Sequence, residues 1–409
     1  MIKAPRGTHD VLPDEQPRWK HVFETFRGLC ERYGYREITT PTIEHTELIE
    51  RTSGHGSDIV QKEIYAFDDR SGRSLALRPE ATAPVARAYL EHGLHRQPQP
   101  VKTYLVGQMF RYDRPQRGRY REFWQLNVEA IGSDDPALDA ETLRLYDDLL
   151  GELGISRYWL ELNSIGDRKC RPAYVAALNA WLDAHPDVVT AEVAQKRETS
   201  PLRIFDVKDE RVQEALRDAP KMGEALCDEC RQHFEDVRRY LDAYGVEYRL
   251  SPTLVRGLDY YARTTFEFLG EALGAKDSIC GGGRYDYLVE EIGGQPTPGV
   301  GWAAGVERLV LQLEEELGKP ESDGRIDVFL VCADDDRRDA LRTLAELRAR
   351  GFSADTDYAG RSLNAQIKHA ARLAPRYVVI LDGRDATVRE SGEEDRTLPR
   401  ASLVETLGQ

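Results

Sequence analysis

The chain has 409 residues, of which 41% are apolar, 31% charged and 9% aromatic. This composition is typical of a folded protein with two or three domains, and it excludes disordered, collagen-like and coiled-coil proteins. No apolar run approaches the ~20 residues of a membrane span, and no apolar segment typical of a signal or transit peptide follows the first residues. We therefore expect a cytoplasmic protein that contacts no membrane.

The formal net charge is −15, from 56 Lys and Arg against 71 Asp and Glu. By itself this charge argues against a nucleic-acid partner, because phosphate binding needs positive side chains. The total describes the whole surface, however, and a nucleic acid needs only one locally basic face. Six cysteines in so long a chain do not have the density of a disulfide-stabilised secreted domain, so we expect reduced thiols.

The first predicted element is an amphipathic helix. Apolar residues recur at helical spacing over residues 14–33, and Gly34 follows as a stop signal. The next stretch, residues 35–41, is rich in β-branched residues and ends at Pro41. It predicts a strand, because proline is tolerated only where no ladder hydrogen bond is needed.

Two strand-like runs, residues 101–111 and 119–132, flank the basic segment 113–118. They predict an antiparallel hairpin with a basic tip. Alternate side chains of a strand point to opposite faces. One face of the second strand carries Trp124, Leu126, Val128 and Ala130, and the other carries Gln125, Asn127 and Glu129.

Further strands are predicted at residues 264–268, 277–283 and 299–303, followed by a helix over 305–316. Strands separated by long insertions and then a helix favour an α+β fold with an antiparallel sheet. The charge-rich segment 167–248 is mostly helical in pattern and predicts an inserted helical subdomain. The three glycines at 281–283 fit either a close strand crossing or a phosphate-binding turn.

The end of the chain differs in pattern. Residues 318–324 read as a linker, and strands predicted at 326–333, 352–357 and 377–382 alternate with two amphipathic helices. This alternation predicts a small α/β domain with parallel strands. We therefore divide the chain into a domain over residues 1–325, with the helical insertion at about 167–248, and a second domain over 326–409.

Four arginines stand beside glycine, aromatic or acidic residues in segments that we expect to be ordered. They are Arg111, Arg119, Arg256 and Arg308. Guanidinium groups match phosphate oxygens in geometry and stay charged. Each arginine alone fits a surface ion pair better, but together they suggest a triphosphate site. No P-loop is present, and residues 299–305 lack the spacing of a dinucleotide-binding turn.

Cys227, Cys230 and the nearby His233 suggest a zinc site. A tetrahedral site needs four ligands, and Cys170 is the only further partner that the sequence indicates in this region. A single pair of cysteines on a helix is more often two small packing residues. We therefore expect no structural zinc.

Motifs along nearly the whole chain resemble those of the class II aminoacyl-tRNA synthetases and, within that class, those of the histidyl-tRNA synthetase family. Residues 33–44, with Pro41, are similar to class motif 1, residues 110–129 to motif 2 and residues 299–308 to motif 3. Four further segments match the family: residues 6–10 (RGTHD), 77–80 (LRPE), 256–261 (RGLDYY) and 280–286 (CGGGRYD). The insertion carries fewer cysteines than many family members have.

The resemblance implies an ATP-dependent ligase with a class II antiparallel sheet and a carboxy-terminal anticodon-binding domain. It implies that Arg111 holds the α-phosphate of ATP, Arg308 holds the γ-phosphate and Arg119 orients the triphosphate. Arg256 then acts as a catalytic residue together with Arg111, because it faces the charge that develops on the α-phosphate. Mg²⁺ is expected with ATP, without assigned protein ligands.

The resemblance also implies a pocket for L-histidine. A neutral imidazole has one donor and one acceptor nitrogen, and Glu129 and Tyr261 match the residues that bind them. Glu80, Thr82 and Gln125 match those that receive the α-ammonium group, and Tyr285 matches another pocket residue. The alternative is that Gln125, Asn127 and Glu129 form the solvated face of an edge strand.

The implied partners are ATP, L-histidine, tRNA(His) and a second copy of the chain, because motif 1 forms a two-fold interface in this class. The implied reaction makes histidyl-adenylate and pyrophosphate, and then transfers histidine to the 3′ end of the tRNA. Two alternatives belong to other functional classes. One is a non-catalytic regulatory subunit of histidine biosynthesis, and the other is a tRNA sensor without adenylate chemistry.

Overall fold

The computed structural model describes residues 1–54, 57, 59–271, 277–318, 326–390 and 392–408. It divides into two compact units, Met1–Lys319 and Pro320–Gln409. Nearly all of the predicted linker, residues 318–324, lies outside the described ranges, as does residue 325, the predicted domain boundary. Within those ranges no helix has the length and apolar composition needed to cross a membrane.

The first unit contains a large sheet, a small sheet and surrounding helices. Its strands are β1 (Arg36–Glu37), β2 (Ile43–His45), β3 (Tyr65–Asp68), β4 (Ser74–Leu77), β5 (Val101–Phe110), β6 (Glu122–Ile131), β7 (Tyr158–Ser164), β8 (Arg249–Leu250), β9 (Ala262–Gly270), β10 (Asp277–Arg284) and β11 (Gly299–Gly305). Its α-helices are α1 (Gln16–Arg32), α2 (Thr46–Ser53), α3 (Thr82–Glu91), α4 (Pro136–Glu152), α5 (Arg171–Ala184), α6 (Ala191–Thr199), α7 (Glu210–Ala215), α8 (Asp228–Tyr244), α9 (Leu288–Glu291) and α10 (Val306–Leu317).

The large sheet has the strand order β1-β5-β6-β11-β10-β9-β7-β8. All neighbouring pairs are antiparallel except the two edge pairs, β1 with β5 and β7 with β8. The predicted α+β fold with an antiparallel sheet is therefore confirmed. The small sheet has the order β2-β4-β3.

The predicted hairpin is confirmed as β5 and β6, with Val101 opposite Ile131 and Phe110 opposite Glu122. The apolar face of β6 packs into the main core beneath α1, α4 and α10, as the alternation predicts. The polar face is not solvated. Gln125, Asn127 and Glu129 are only 7%, 0% and 1% exposed, so the alternative of an exposed edge-strand face is wrong.

The strand predicted over residues 35–41 is much shorter in the structure, where β1 has two residues. The backbone beyond β1 turns to meet the buried side chain of Arg78. One guanidinium nitrogen of Arg78 donates to the carbonyl oxygen of Thr40 at 2.9 Å, and the backbone N–H of Arg78 donates to Thr42 at 2.9 Å. These contacts are made across the fold, so the local sequence does not reveal them.

The predicted helical insertion consists of α5 to α8 and short 3₁₀ turns between them. It has its own apolar core, which includes Tyr174, Leu178 and Ile204. The second half of α8 instead packs into the main core through Val237 and Leu241. The helix α8 therefore joins the insertion to the large sheet.

The second unit contains strands β12 (Val328–Cys332), β13 (Ala354–Thr356), β14 (Tyr377–Asp382), β15 (Asp385–Glu390) and β16 (Arg396–Pro399), with helices α11 (Arg337–Ala349), α12 (Leu363–Leu373) and α13 (Leu403–Leu407). The three predicted strands form the parallel part of its sheet. The sequence analysis missed β15 and β16, which extend the sheet antiparallel. A turn at Gly383, with φ of 57°, begins this extension. This glycine was the feature of the sequence that could have predicted a hairpin here.

Candidate active site

A cavity of about 330 Å³ opens on the polar face of the large sheet. It is built by the hairpin of β5 and β6, the segment before α3, the segment before β9, and the strands β10 and β11. Eight of the ten predicted site residues line it: Glu80, Thr82, Arg111, Arg119, Gln125, Arg256, Tyr261 and Arg308. The four arginines that the sequence scatters over nearly 200 residues thus meet at one place.

Arg111 and Arg119 come from the hairpin. Arg111 follows β5, donates from Nε to the carbonyl oxygen of Pro79 at 2.8 Å, and lies over the ring of Phe123 with its Cζ 5.5 Å from the ring centre. Arg119 lies at the tip, where its Nη1 is 3.4 Å from a carboxylate oxygen of Asp113. Arg111 is therefore held against other parts of the protein, whereas the side-chain partner of Arg119 within the described ranges belongs to its own loop.

Arg256 reaches over β10 and forms an ion pair with Glu267 of β9. Burial opposes the charged state of Arg256, but the Glu267 carboxylate outweighs this effect and holds the pKa of the guanidinium above its ordinary value. The close approach depends on Gly281, because a Cβ atom at that position would overlap the guanidinium group. Residues 281–283 are paired on both sides within β10, so the strand interpretation of the three glycines is confirmed.

Arg308 lies at the start of α10. Its Nε donates to the carbonyl oxygen of Gly118 at 3.0 Å, and its Nη1 donates to the carbonyl oxygen of Ser278. The preceding residue, Glu307, accepts the backbone N–H of Trp124 at 3.0 Å, and burial raises the pKa of its carboxyl group to about 7. Helix α10 thus presents a cation and a buried carboxyl group to the same cavity.

The carboxylate of Glu80 caps the start of α3. Its two oxygens accept the backbone N–H groups of Thr82 at 2.6 Å and Ala83 at 3.0 Å. Burial raises the pKa of Glu80, while these hydrogen bonds and the charge of Arg111 act in the opposite direction. An anion at a helix N-terminus is stabilised by the helix dipole, so Glu80 is fixed in place at the cavity wall.

Glu129 and Tyr285 do not line the cavity. They form a layer behind it, where Thr82 Oγ1 donates to Glu129 Oε1 at 2.6 Å and Tyr285 OH donates to Glu129 Oε2. Burial is the main cause that raises the pKa of Glu129 to about 8. Gly301 leaves the space for this carboxyl group, because a Cβ atom there would overlap Oε2.

Several buried polar atoms around the sheet face have no protein partner within the described ranges. These atoms are Gln125 Oε1, Asn127 Oδ1 and Nδ2, Arg119 Nε and Arg256 Nε. Buried polar groups in folded proteins are nearly always hydrogen-bonded, by protein or by bound molecules. Gln125, Arg119 and Arg256 line the cavity, so this pattern indicates that it receives a polar ligand.

The sequence analysis missed the acidic residues of the cavity wall. Glu63, Asp113, Glu267 and Glu307 all line it. Of these four, only Glu307 could have been predicted from the sequence, because it directly precedes Arg308 in the third class motif. The fold brings the other three carboxylates to the cavity.

One candidate metal cluster exists among the residues that the structure describes, and none of its residues lines the cavity. It consists of Asp167, Cys170, Cys227 and Cys230. The sequence analysis expected no zinc because a pair of cysteines on a helix is more often a packing feature and Cys170 was its only further partner. The structure brings Asp167 to the three cysteines. His233, the other residue considered there, is not part of the cluster.

The cavity can therefore bind two kinds of chemical group side by side. Four guanidinium groups suit a polyphosphate. The layer formed by Thr82, Glu129 and Tyr285, with Gln125 and Tyr261, suits a small molecule that carries both hydrogen-bond donors and acceptors. A fixed cation beside a reacting phosphate stabilises the negative charge that develops there during a transfer.

Comparison with known proteins supports the same interpretation. Residues 7–309 match the family model for histidyl-tRNA synthetase, and residues 327–409 match the model for an anticodon binding domain. The chain is 49% identical over 412 residues to the histidine–tRNA ligase of Desulforudis audaxviator, covering 100% of this chain and 98% of that protein. It is 46% identical over 414 residues to the histidine–tRNA ligase of Halothermothrix orenii, with 99% of each chain covered. The crystal structure of apo S. aureus histidyl-tRNA synthetase is 35% identical and superposes with a TM-score of 0.84 over 100% of both chains.

Proposed function

The chain belongs to the histidyl-tRNA synthetase family, and on that basis we propose that it is a histidine–tRNA ligase whose reaction takes place in the cavity on the large sheet. It activates histidine with ATP and transfers the histidyl group to the 3′ end of tRNA(His). The observation that carries this proposal is the meeting of four arginines with the Glu80, Thr82 and Gln125 wall in one cavity. We propose residues 1–325, with the helical insertion at 167–248, as the catalytic domain and 326–409 as the anticodon-binding domain.

In the first step, a carboxylate oxygen of histidine attacks the α-phosphorus of ATP. A new phosphorus–oxygen bond forms, the bond to the bridging oxygen breaks, and pyrophosphate leaves with the electron pair. Arg111 holds the α-phosphate and Arg256 faces the charge that grows on it, so both act as catalytic residues. Arg308 binds the γ-phosphate, and Arg119 at the hairpin tip orients the triphosphate.

The histidine side chain is read by the layer behind the cavity. Glu129 accepts a hydrogen bond from one imidazole nitrogen, and the hydroxyl group of Tyr261 pairs with the other. Tyr285 keeps Glu129 in position through its hydrogen bond to Oε2. Glu80, Thr82 and Gln125 receive the α-ammonium group, and the free Oε1 of Gln125 suits that role. An apolar analogue of histidine leaves these polar groups unpaired and therefore binds poorly. The pocket can thus reject such analogues without the help of an editing domain.

Mg²⁺ enters as part of the ATP substrate complex. No group of three or more carboxylate, His or Cys ligands converges at the cavity in the described part of the chain. This arrangement suits Mg²⁺, which is held mainly by phosphate oxygens and water with only one or two carboxylates. Glu267 of β9 and Glu307 of α10 are carboxylates on the cavity wall, and they offer oxygen ligands.

In the second step, a hydroxyl group of the terminal ribose of tRNA(His) attacks the carbonyl carbon of the adenylate. The ester bond forms as the bond to AMP breaks. We propose that the second unit binds the anticodon region of the tRNA, in keeping with its match to an anticodon binding domain. The affinity for tRNA should fall with increasing salt concentration, because phosphate contacts release counterions.

We propose that the enzyme is a homodimer. Support comes from motif 1 and from the small sheet, where Ile43 and Phe67 are 47% and 43% exposed. The register places Ile43 opposite Leu77 and Phe67 opposite Leu75, so these four side chains share one face. An exposed apolar sheet face is typical of a protein interface. Sedimentation velocity at assay concentration should show a dimer, and a monomer there contradicts this part of the proposal.

The decisive test of function is exchange of labelled pyrophosphate into ATP, measured with purified full-length protein and each of the twenty amino acids in turn. Exchange that depends on histidine alone is expected. No exchange with any amino acid, together with histidine binding in calorimetry, would instead identify a regulatory relative without adenylate chemistry. Binding of tRNA without exchange would identify a tRNA sensor.

A further inference from the structure

Two helices of the insertion begin at the same point in space. Cys170 is the residue before α5, with Asp167 three positions earlier, and Cys227 is the residue before α8, with Cys230 in its first turn. One ligand atom from each of these four side chains lies within 4.8 Å of the other three. The two pairs are brought together from segments that are 57 residues apart in the chain.

We propose that Asp167, Cys170, Cys227 and Cys230 bind one Zn²⁺ ion, which fastens the start of α5 to the start of α8. Tetrahedral zinc with ~2.3 Å bonds to sulfur and ~2.1 Å bonds to oxygen requires ligand atoms roughly 3.6–3.8 Å apart. Cys170 Sγ and Asp167 Oδ1 are already 3.2 Å apart. The remaining atoms need only small side-chain rotations, so the cluster has the ligand number and approximate spacing of a structural zinc site.

The ligands are held in place by the backbone around them. Asp167 Oδ1 accepts the N–H groups of Lys169 at 2.9 Å and Cys170 at 3.1 Å. The N–H group of Cys227 points at Cys170 Sγ at 3.2 Å, which links the two helix starts directly. Backbone N–H groups and helix N-termini stabilise negatively charged ligands. The backbone therefore holds the ligand atoms near one another before any ion arrives.

The donor set selects the metal. Three thiolates and one carboxylate suit Zn²⁺, whereas Mg²⁺ and Ca²⁺ require mainly oxygen ligands. With one Zn²⁺ bound, the four anionic ligands leave a local charge of −2 by formal count. Arg263 lies close enough to Cys230 and Asp167 to interact with them electrostatically, and it offsets part of this charge. A disulfide is the other common reason for cysteines to lie close together. It joins only two of these three cysteines and does not explain why the third lies beside them.

The cluster adjoins the turn that carries Tyr261. The residue after Cys170, Arg171, donates from its guanidinium group to the carbonyl oxygen of Tyr261. In addition, the N–H of Arg263 donates to the carbonyl oxygen of Gly166 at 2.7 Å. A bound ion would therefore stiffen both the insertion and the edge of the proposed histidine pocket.

The first test is the metal content of the full-length protein, purified without chelator and measured by inductively coupled plasma mass spectrometry. One zinc per chain is expected. Replacement of zinc by Co²⁺ should produce thiolate-to-cobalt charge-transfer absorption and the intense visible bands of a tetrahedral site. The proposal is overturned if the protein contains no zinc as purified and, after cobalt addition, shows neither the charge-transfer absorption nor the visible bands.

Matched variants identify the ligands. Asp167→Asn keeps the oxygen that accepts the Lys169 and Cys170 N–H groups but removes the charged ligand, and Cys227→Ser removes the most exposed thiolate. Both should weaken zinc binding by at least about tenfold in competition with a chelating dye. Asp167→Cys should retain the metal, because it completes a four-thiolate site.

Cys332→Ser is the control, because Cys332 is a free buried thiol in β12, in the other unit. It should bind zinc as the unmodified chain does. Circular dichroism of each variant shows whether a loss of metal accompanies loss of helix. Equal zinc retention in all four variants means adventitious binding and overturns the assignment. A disulfide between Cys227 and Cys230 in freshly purified metal-free protein, found by alkylation and mass spectrometry, overturns it as well.

Discussion

The hydroxyl group of Thr82, at the start of α3, donates a hydrogen bond of 2.6 Å to Oε1 of Glu129 in the middle of β6. Because Tyr285 donates to the other oxygen, both oxygens of a buried carboxyl group are held by hydroxyl groups. This chain of hydroxyl and carboxyl groups positions the proposed imidazole-binding residue from both sides. It also places an acidic group where ionisation is costly.

We expect Glu129 to make the stability of the fold depend on pH. Its folded-state pKa is about 8, against an ordinary value of 4.5, so the folded protein retains a proton that the unfolded chain has lost. The contribution to stability is full below pH 4.5 and is lost as the pH rises through about 8. Between pH 7 and 9 the loss should be about 1 kcal/mol.

Glu129→Gln isolates this effect, because a neutral amide imitates the protonated carboxyl group. The difference in the free energy of unfolding between the original chain and the Gln variant should shift in favour of the variant as the pH rises from 7 to 9. Urea unfolding at several pH values measures it. A difference that does not change with pH would show that Glu129 is already ionised in the folded protein at pH 7.

Substitution of Arg256 should suppress adenylate formation. Arg256→Gln removes the cation that we propose faces the α-phosphate, and loss of one such group lowers kcat by about 10²–10³. The KM values for ATP and histidine should change much less, because the charge develops only in the transition state. Pyrophosphate exchange measures both quantities. Arg342→Gln, which removes an exposed ion pair with Asp339, serves as the control and should keep full activity.

Gly281→Ala tests the same arginine without removing it. The added Cβ atom overlaps the guanidinium group of Arg256, which must shift. A displacement of about 1 Å in a catalytic group lowers the rate up to ~10²-fold, so we expect a clear loss of pyrophosphate exchange in a folded protein. Gly28→Ala in α1 is the matched control, because nothing lies within 4 Å of its added Cβ atom. Equal activity in the two variants would show that Arg256 does not need its present position.

Arg284 and Asp139 form an ion pair in which both side chains are 0% exposed. Arg284 also contacts Asp286 at 3.2 Å. Arg284→Met should lower the free energy of unfolding by about 3–5 kcal/mol, because it leaves buried carboxylates without their cation. Lys20→Met removes the exposed pair with Glu24 and should cost at most about 0.5 kcal/mol. Chemical denaturation of both variants provides the comparison, and similar costs would contradict a structural role for the buried pair.

Local sequence patterns predicted much of the fold correctly. The apolar spacing of α1, the hairpin of β5 and β6, and the parallel strands of the second unit all follow from periodicity within a single segment. They could be predicted because helices and strands impose their repeat on neighbouring residues. The missed strands β15 and β16 follow β14 through a turn at Gly383, and a single glycine is a weaker signal than a repeat.

For the candidate site, the sequence was enough to predict the side chains that we propose for the chemistry: the four arginines, and the polar residues of β6 and of the segment before α3. The arrangement of these groups became known only from the folded structure. It placed Glu129 and Tyr285 behind the cavity, added Glu267 to Arg256, and brought Asp167 to the three cysteines. The physical reason is that such contacts join residues far apart in the chain, so no local repeat encodes them and they exist only when the folded backbone brings the side chains together.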